Sequence, residues 1–183
     1  MNNLFELIHG QMLLVIAPHA ARTAMLEMSA RLALNGPVTV IDGGNQFNTY
    51  EVARCIRRQS IHLEQVVGRI QLARSFTCYQ TLVLLQQAVQ QSSPHVATPL
   101  LVFDLLAMFQ DENVPVIERK RLLKESIHCL RLLSRSQDVA ISVRPASQEP
   151  DIQFLNWIRG AAGRIWELEP YRPCSQPGLF EEV

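Results

Sequence analysis

Three loops of this 183-residue chain carry side chains that could hold a phosphate and a metal ion. The first is Ala17-Pro18-His19-Ala20-Ala21-Arg22-Thr23, which follows an apolar run and precedes an amphipathic one. A phosphate loop in that place reads GxxxxGK[ST], because successive backbone N–H groups wrap the phosphates while the lysine reaches them. Here the segment has no glycine, Arg22 stands where the lysine would be, and the loop is one residue short. Each alanine carries a Cβ, which makes the positive-φ positions of a phosphate nest costly. Arg22 and Thr23 at a helix start retain the means to hold an anion, and His19 lies where it could touch one. The other two loops begin at Asp42 and Asp104, each ending a run of four or five apolar residues. A carboxylate so placed can hold Mg²⁺ through water. Its plainer role is to cap the turn that follows.

Elsewhere the chemistry-bearing residues are dispersed. Cys55, Cys78, Cys129 and Cys174 form no CxxC pair and no zinc spacing with histidine. Three of them fall in segments that read as helical, where a free cysteine acts as a small apolar residue. A reducing compartment follows, and no metal site is expected. His9, His62, His95 and His128 have neither metal spacing nor a nucleophile partner, and read as structural or solvated. Trp157 and Trp166 read as packing residues beside the last strand.

Seventeen basic residues balance seventeen acidic ones. A net positive field that would draw in nucleic acid from a distance is therefore absent, although local patches remain open. Fifteen of the seventeen cations are Arg, with only Lys120 and Lys124 as Lys. The 48% hydrophobic content excludes disorder of the whole chain. The start, Met1-Asn2-Asn3, lacks a basic region, and Leu13–Ala17 is too short to span a membrane. A cytoplasmic protein with no membrane partner is expected.

The elements that must position these residues alternate along the chain. Solid apolar runs at Met12–Ile16, Val38–Asp42, Leu100–Asp104 and Val139–Val143 read as strands buried on both faces. Ile70–Ala73 is a weaker strand, and Arg164–Leu168 is a candidate sixth. Helical periodicity covers Ala20–Asn35, Thr49–Gln59, Thr77–Gln91, Ile117–Ser136 and Asp151–Gly160. Strand and helix in alternation imply an α/β domain with a mainly parallel sheet between helix layers. One domain is expected over residues 1–169, with a tail over 170–183. In such a sheet ligands bind beyond the carboxyl ends of the strands. The loops singled out above, and the one from Arg144 to Pro150, all lie there.

The order of segments resembles the ATPase core of the RecA-type recombinase superfamily over about residues 10–169. Val40-Ile41-Asp42-Gly43-Gly44-Asn45-Gln46-Phe47 is similar to the family's "IDTEGTF"-like run. Ile70-Gln71-Leu72-Ala73-Arg74-Ser75-Phe76-Thr77, followed by Tyr79-Gln80, resembles its "I-x-V-A-R-A-F/Y-N/T…H-Q" segment. Leu101-Val102-Phe103-Asp104-Leu105-Leu106-Ala107-Met108-Phe109 looks like "V-V-D-S-L-T-A-L-F", the Walker B strand and its exit. The resemblance implies a RecA-like three-layer sandwich. It also implies a vestigial nucleotide site made of His19, Arg22, Thr23, Asp42, Asp104 and Arg144. The departures are specific: alanines replace the Walker A glycines and Arg22 its lysine. The family's water-activating Glu falls at Gly44, and its γ-phosphate-sensing Gln falls near Arg144. Phosphoryl transfer needs held phosphates, a metal and an oriented water. A degenerate, non-catalytic core that needs no cofactor is therefore expected. The family's N-terminal domain and polymerisation segment have no counterpart here, so filaments of the RecA type are not expected of this chain alone.

The tail holds Gln176-Pro177-Gly178-Leu179-Phe180, which resembles the QxxLF-type peptide that docks on the bacterial sliding clamp. In such a peptide Leu179 and Phe180 fill an apolar pocket while Gln176 bonds at its rim. Packing of Leu179 and Phe180 back on the domain is the competing reading. Cations gather at Arg54, Arg57, Arg58, Arg69 and Arg74, and again at Arg119, Lys120, Arg121, Lys124, Arg131 and Arg135. The resemblance places a DNA-binding loop after the fifth strand, at Arg144, Gln148 and Asp151. These features favour an accessory protein of DNA repair or recombination whose partner is a recombinase, a polymerase or the clamp, with weak DNA contact of its own. Two alternatives stay open. One is an atypical Mg-ATP-binding protein or weak ATPase using Arg22, Thr23 and Asp104. The other is a homo-oligomeric scaffold without a DNA role.

Overall fold

The structure, a computed structural model, describes residues 7–92 and 97–168. Six strands form one all-parallel sheet: β1 Met12–Ile16, β2 Val38–Asp42, β3 Ile70–Arg74, β4 Leu100–Phe103, β5 Val139–Val143 and β6 Arg164–Glu167. Their spatial order is β3-β2-β4-β5-β1-β6. The helices between them are α1 Arg22–Asn35, α2 Thr49–Arg57, α3 Leu63–Val67, α4 Cys78–Gln91, α5 Val116–Ser134 and α6 Asp151–Arg159. Short 3-10 turns follow β1 and β4, at Pro18–Ala21 and Leu105–Phe109.

Two apolar layers sandwich the sheet because strand side chains alternate between faces. Leu13, Val15, Val40, Leu101 and Phe103 meet α1, α2 and α3 on one face. Met12, Leu14, Ile16, Ile41, Val102 and Ile141 meet α4, α5 and α6 on the other. Every residue of β1, β4 and β5 is buried, which is why these strands read as unbroken apolar runs. The edges differ. No residue of β3 or β6 is fully buried, so their sequences carry a weaker apolar signal.

Helix ends follow local chemistry. The Asn48 side chain accepts the N–H groups of Tyr50 and Glu51 at 2.9 and 3.3 Å, which starts α2. Thr77 accepts Gln80 N–H at 3.2 Å, while the Gln80 side chain accepts Phe76 N–H at 2.8 Å. That reciprocal pair is close to a capping box and starts α4. The first helix starts at Arg22 rather than at Ala20, because His19, Ala20 and Ala21 all have φ near +50°. Helix α3 was not expected from the sequence, being only five residues long. The second helix ends at Arg57, two residues short of the expected Gln59.

The direction of each connection sets where loops diverge. Chain leaving β1 and β2 enters helices on the α1–α3 face, and chain leaving β4 and β5 enters helices on the opposite face. The strand order puts β2 beside β4, and β5 beside β1. Two crevices therefore open at the carboxyl edge, the positions where open α/β sheets hold ligands. Asp42 and Asp104 flank one. The Ala17–Thr23 and Arg144–Pro150 loops flank the other. Among the described residues no helix is long and apolar enough to cross a membrane.

Candidate functional site

The three aspartate- and arginine-bearing loops meet at the carboxyl edge of β2, β4 and β5. Asp42 ends β2 and is fully buried, with its carboxylate turned back on its own loop. It accepts Gln46 N–H at 2.8 Å and Phe47 N–H at 3.0 Å. Arg74, its register partner on β3, brings Nε within 3.4 Å of the same carboxylate. The Arg74 guanidinium also donates to Phe47 O at 3.1 Å. Asp42 thus shapes the 43–48 turn, and all the groups found on it belong to the chain itself. Sequence reasoning missed Arg74 as its partner. The pairing follows from the register of β2 and β3, which the sequence does not show.

Asp104 sits one residue beyond β4 in the left-handed region, at φ 49°. Aspartate is among the few residues that adopt this conformation readily. Its backbone N–H donates to the buried Ser142 Oγ at 3.0 Å, which ties the turn to β5. Its carboxylate is buried and meets Arg144 Nη2 at 2.5 Å. The approach lacks hydrogen-bond alignment, so Asp104 Oδ2 is held by charge. Burial pushes the Asp104 carboxyl above the usual carboxylate range, the Arg144 charge opposes this, and nearby Asp42 adds to the rise. The two aspartates end neighbouring parallel strands, Asp42 in register with Phe103, the residue before Asp104.

Gly44 explains how closely the loops pack. A Cβ built there would lie 2.6 Å from Asp104 Cβ and 2.8 Å from its Cγ. Any side chain at Gly44 would displace the Asp104 carboxylate. The position where the family resemblance puts a water-activating Glu is thus one that only glycine fits.

The first loop is closed on itself. Ala17, Ala20 and Ala21 are buried, and Ala17 and Ala21 pack into the α1–α3 layer. Ala17 N–H donates to Val143 O at 3.2 Å, Ala20 N–H to Ala17 O at 3.0 Å, and Arg22 N–H to His19 O. A phosphate nest needs such donors to converge on empty space. Arg22 turns away along α2: Nε donates to Gln46 O at 3.0 Å and Nη2 to Glu51 Oε1 at 2.5 Å. Glu51 was not foreseen as its partner, because the two are 29 residues apart. The His19 and Thr23 side chains are exposed and make no hydrogen bond or ion pair among the described residues. Three of the loop's backbone donors are thus engaged within the protein.

The remaining expectations fall as follows. Arg144 is brought to Asp104, and Arg22 is separated from it by the Gln46 and Glu51 contacts. Of the cations counted on α5, Arg119 is buried and donates to Phe109 O at 3.0 Å, and Arg121 is paired with Glu118 and Glu125. Those two are not part of a free basic face. Arg69 likewise caps α1, donating to Ala33 O and Leu34 O at 3.1 and 2.9 Å. Cys55, Cys78 and Cys129 are free thiols on α2, α4 and α5. Gln176, Leu179 and Phe180, with His95 and Cys174, lie outside the described residues.

A second feature lies at the β3 edge. Leu72, Phe76, Tyr79 and Val83 are large apolar residues left exposed, Phe76 by 72%. Beside them a cavity of about 230 Å³ opens between β3 and α4, floored by Ile41, Ala73, Leu84 and Ala88. Sequence reasoning recorded Phe76 and Tyr79 only as parts of a motif. Phe76 lies in the loop between β3 and α4 and Tyr79 on the first turn of α4, beside β3, which ends the sheet among the described residues. No protein-family model matches the chain.

Proposed function

We propose that this chain is a non-catalytic, RecA-like accessory protein of DNA repair or recombination that acts by docking on protein partners. The observation that carries the non-catalytic part is the filled crevice. Three backbone donors of the loop after β1, those of Ala17, Ala20 and Arg22, are engaged within the protein, Arg22 is tied to Gln46 and Glu51, and Arg144 closes on Asp104. A hydrolase would need those donors and charges for the phosphates and for an ordered water. The order of motifs along the chain supports the RecA-like assignment. The parallel sheet, with Asp42 and Asp104 at adjacent carboxyl edges, is consistent with it.

The partner role is supported by the open edge of β3. An exposed edge strand offers unpaired backbone groups to another chain, and the apolar pocket beside it can fix one side chain. A recombinase, a polymerase or the sliding clamp are the partners the motifs favour, the last through Gln176, Leu179 and Phe180. Calorimetric titration of Mg-ATP and ADP, with a hydrolysis assay on the same sample, tests the reading. No heat of binding and no turnover are expected. Hydrolysis that is abolished by Asp104→Ala would overturn it. Sedimentation of the pure chain separates partner docking from the homo-oligomeric scaffold, which predicts a stable multimer.

A further inference from the structure

The outer groove between α5 and α6 carries a second, separate assignment. It encloses about 510 Å³ and is lined by Lys124, Ile127, His128 and Arg131 from α5, and by Asn156 and Trp157 from α6. Lys124, His128 and Arg131 stand at i, i+4 and i+7, which puts them on one side of the helix. Arg135 continues the same row one turn later, because 3.6 residues make a turn. No carboxylate lines the groove. The acids nearest in sequence are engaged elsewhere, Glu118 and Glu125 on Arg121. Lys124, Arg131 and Arg135 are not paired with an acid among the described residues. Lys124 Nζ instead lies 4.9 Å from the centre of the Trp157 ring, and Arg131 donates to Gly160 O at 3.1 Å. Elsewhere on this charge-balanced chain, Arg22, Arg74, Arg121, Arg144 and Arg159 each face a carboxylate.

We infer that this groove binds a single strand of nucleic acid, with the cation row on the phosphates and Trp157 beneath a base. Phosphate affinity comes from unpaired cations, and sequence-tolerant affinity from an aromatic face. Both are here within one groove, with the Asn156 amide beside them as a donor and acceptor for a base edge. Base stacking is the stronger contact and can displace Lys124 from the ring, which frees its ammonium for the backbone. An acidic amphipathic helix would need an apolar stripe as well as cations. Ile127 and Trp157 are the groove's large apolar lining residues, too few for such a stripe, so the nucleic acid is favoured. The net charge of zero makes this a contact-range surface rather than a long-range attractor.

The test uses a Trp166→Phe background, in which Trp157 is the only tryptophan. A short oligothymidylate or oligouridylate is titrated at low salt while Trp157 emission and oligonucleotide anisotropy are read. Quenching with saturation is expected, with a log–log salt slope of about −2 for Lys124, Arg131 and Arg135 on a single strand. Lys124→Ala and Arg131→Ala are each expected to flatten that slope by about 0.7. Trp157→Leu is expected to weaken binding roughly tenfold. Far-UV dichroism checks folding, and the exposed Lys124 and Arg131 variants carry the test if Trp157→Leu misfolds. Absence of binding at low salt overturns the assignment. So does equal quenching by polyglutamate, which would mark an acidic-peptide surface. Unchanged affinity and slope in the Lys124 and Arg131 variants would also overturn it, by placing the nucleic acid elsewhere.

Discussion

Arg144 Nη2 lies 2.5 Å from Asp104 Oδ2 across the carboxyl edge of β4 and β5, joining a half-exposed cation to a buried carboxylate. The two ends of this pair are not equivalent. Asp104 is enclosed and desolvated, and its carboxyl is pushed up even with Arg144 present. Arg144 can reach water if the pair is lost.

That asymmetry fixes the direction of a pH effect. A carboxyl raised in the folded state keeps its proton at pH values where the unfolded chain has lost it. Its contribution is therefore greatest below the ordinary aspartate range and is lost as pH rises through the folded value. Asp104→Asn should match the parent in acid and equal or exceed its stability at neutral pH. Arg144→Ala should do the reverse and cost about 2 kcal/mol at neutral pH, since it leaves a buried group unpaired. Urea midpoints of the three proteins between acid and neutral pH measure both effects. A neutral-pH loss in Asp104→Asn would contradict the burial argument.

Backbone conformation at the first loop makes a second prediction. His19, Ala20 and Ala21 are consecutive non-glycine residues with φ of 53°, 52° and 51°. Each costs on the order of 1 kcal/mol relative to a right-handed residue. The His19 side chain is exposed and makes no hydrogen bond among the described residues, so it contributes little that would be missed. His19→Gly should raise stability by about 0.5 kcal/mol, once the extra freedom of glycine in the unfolded chain is subtracted. Denaturant unfolding reads the change directly. A loss of stability would mean that His19 holds the loop by a contact of its own.

The edge of the sheet supplies a third. Leu72 on β3 is 38% exposed beside the 230 Å³ cavity. Leu72→Lys puts a charge on an open edge, which is a common way of blocking strand addition. It should abolish co-purification of a partner, or self-association, while changing the unfolding midpoint little, since half-exposed substitutions cost about 0.5 kcal/mol. Association that survives the lysine would remove the β3 edge from consideration.

Thiol reactivity makes a fourth. Burial pushes the Cys78 and Cys129 thiols up, and both are covered by the α4–α5 layer. The thiolate is the reactive form, so both should resist alkylation in the folded protein. Cys55 on α2 is half-buried and should label first of the three. Mass spectrometry of iodoacetamide time courses, with and without denaturant, distinguishes them.

Legibility varied by element for physical reasons. The strands β1, β2, β4 and β5 were read within a residue, because burial on both faces demands a continuous apolar run. The long helices α4 and α5 were read from their periodicity, with ends displaced by at most two residues. Helix α3 escaped because five residues cannot show a period of 3.6. The start of α1 was misplaced because alanines favour helix, and only tertiary packing of Ala20 and Ala21 forces them left-handed.

The sequence by itself determined the α/β class, the strand-end positions of Asp42 and Asp104, and the loss of the glycines and lysine that a phosphate loop needs. These are local matters, set by burial patterns and residue types. Tertiary structure alone decided which charges meet. Arg74 reaches Asp42 because β2 and β3 pair in register, and Arg144 reaches Asp104 because β5 lies beside β4. Glu51 captures Arg22 because α2 packs on α1, although the two residues are 29 apart in the chain. A side chain's electrostatic partner is the nearest opposite charge in space, and strand order, rather than spacing along the chain, fixes which charge that is.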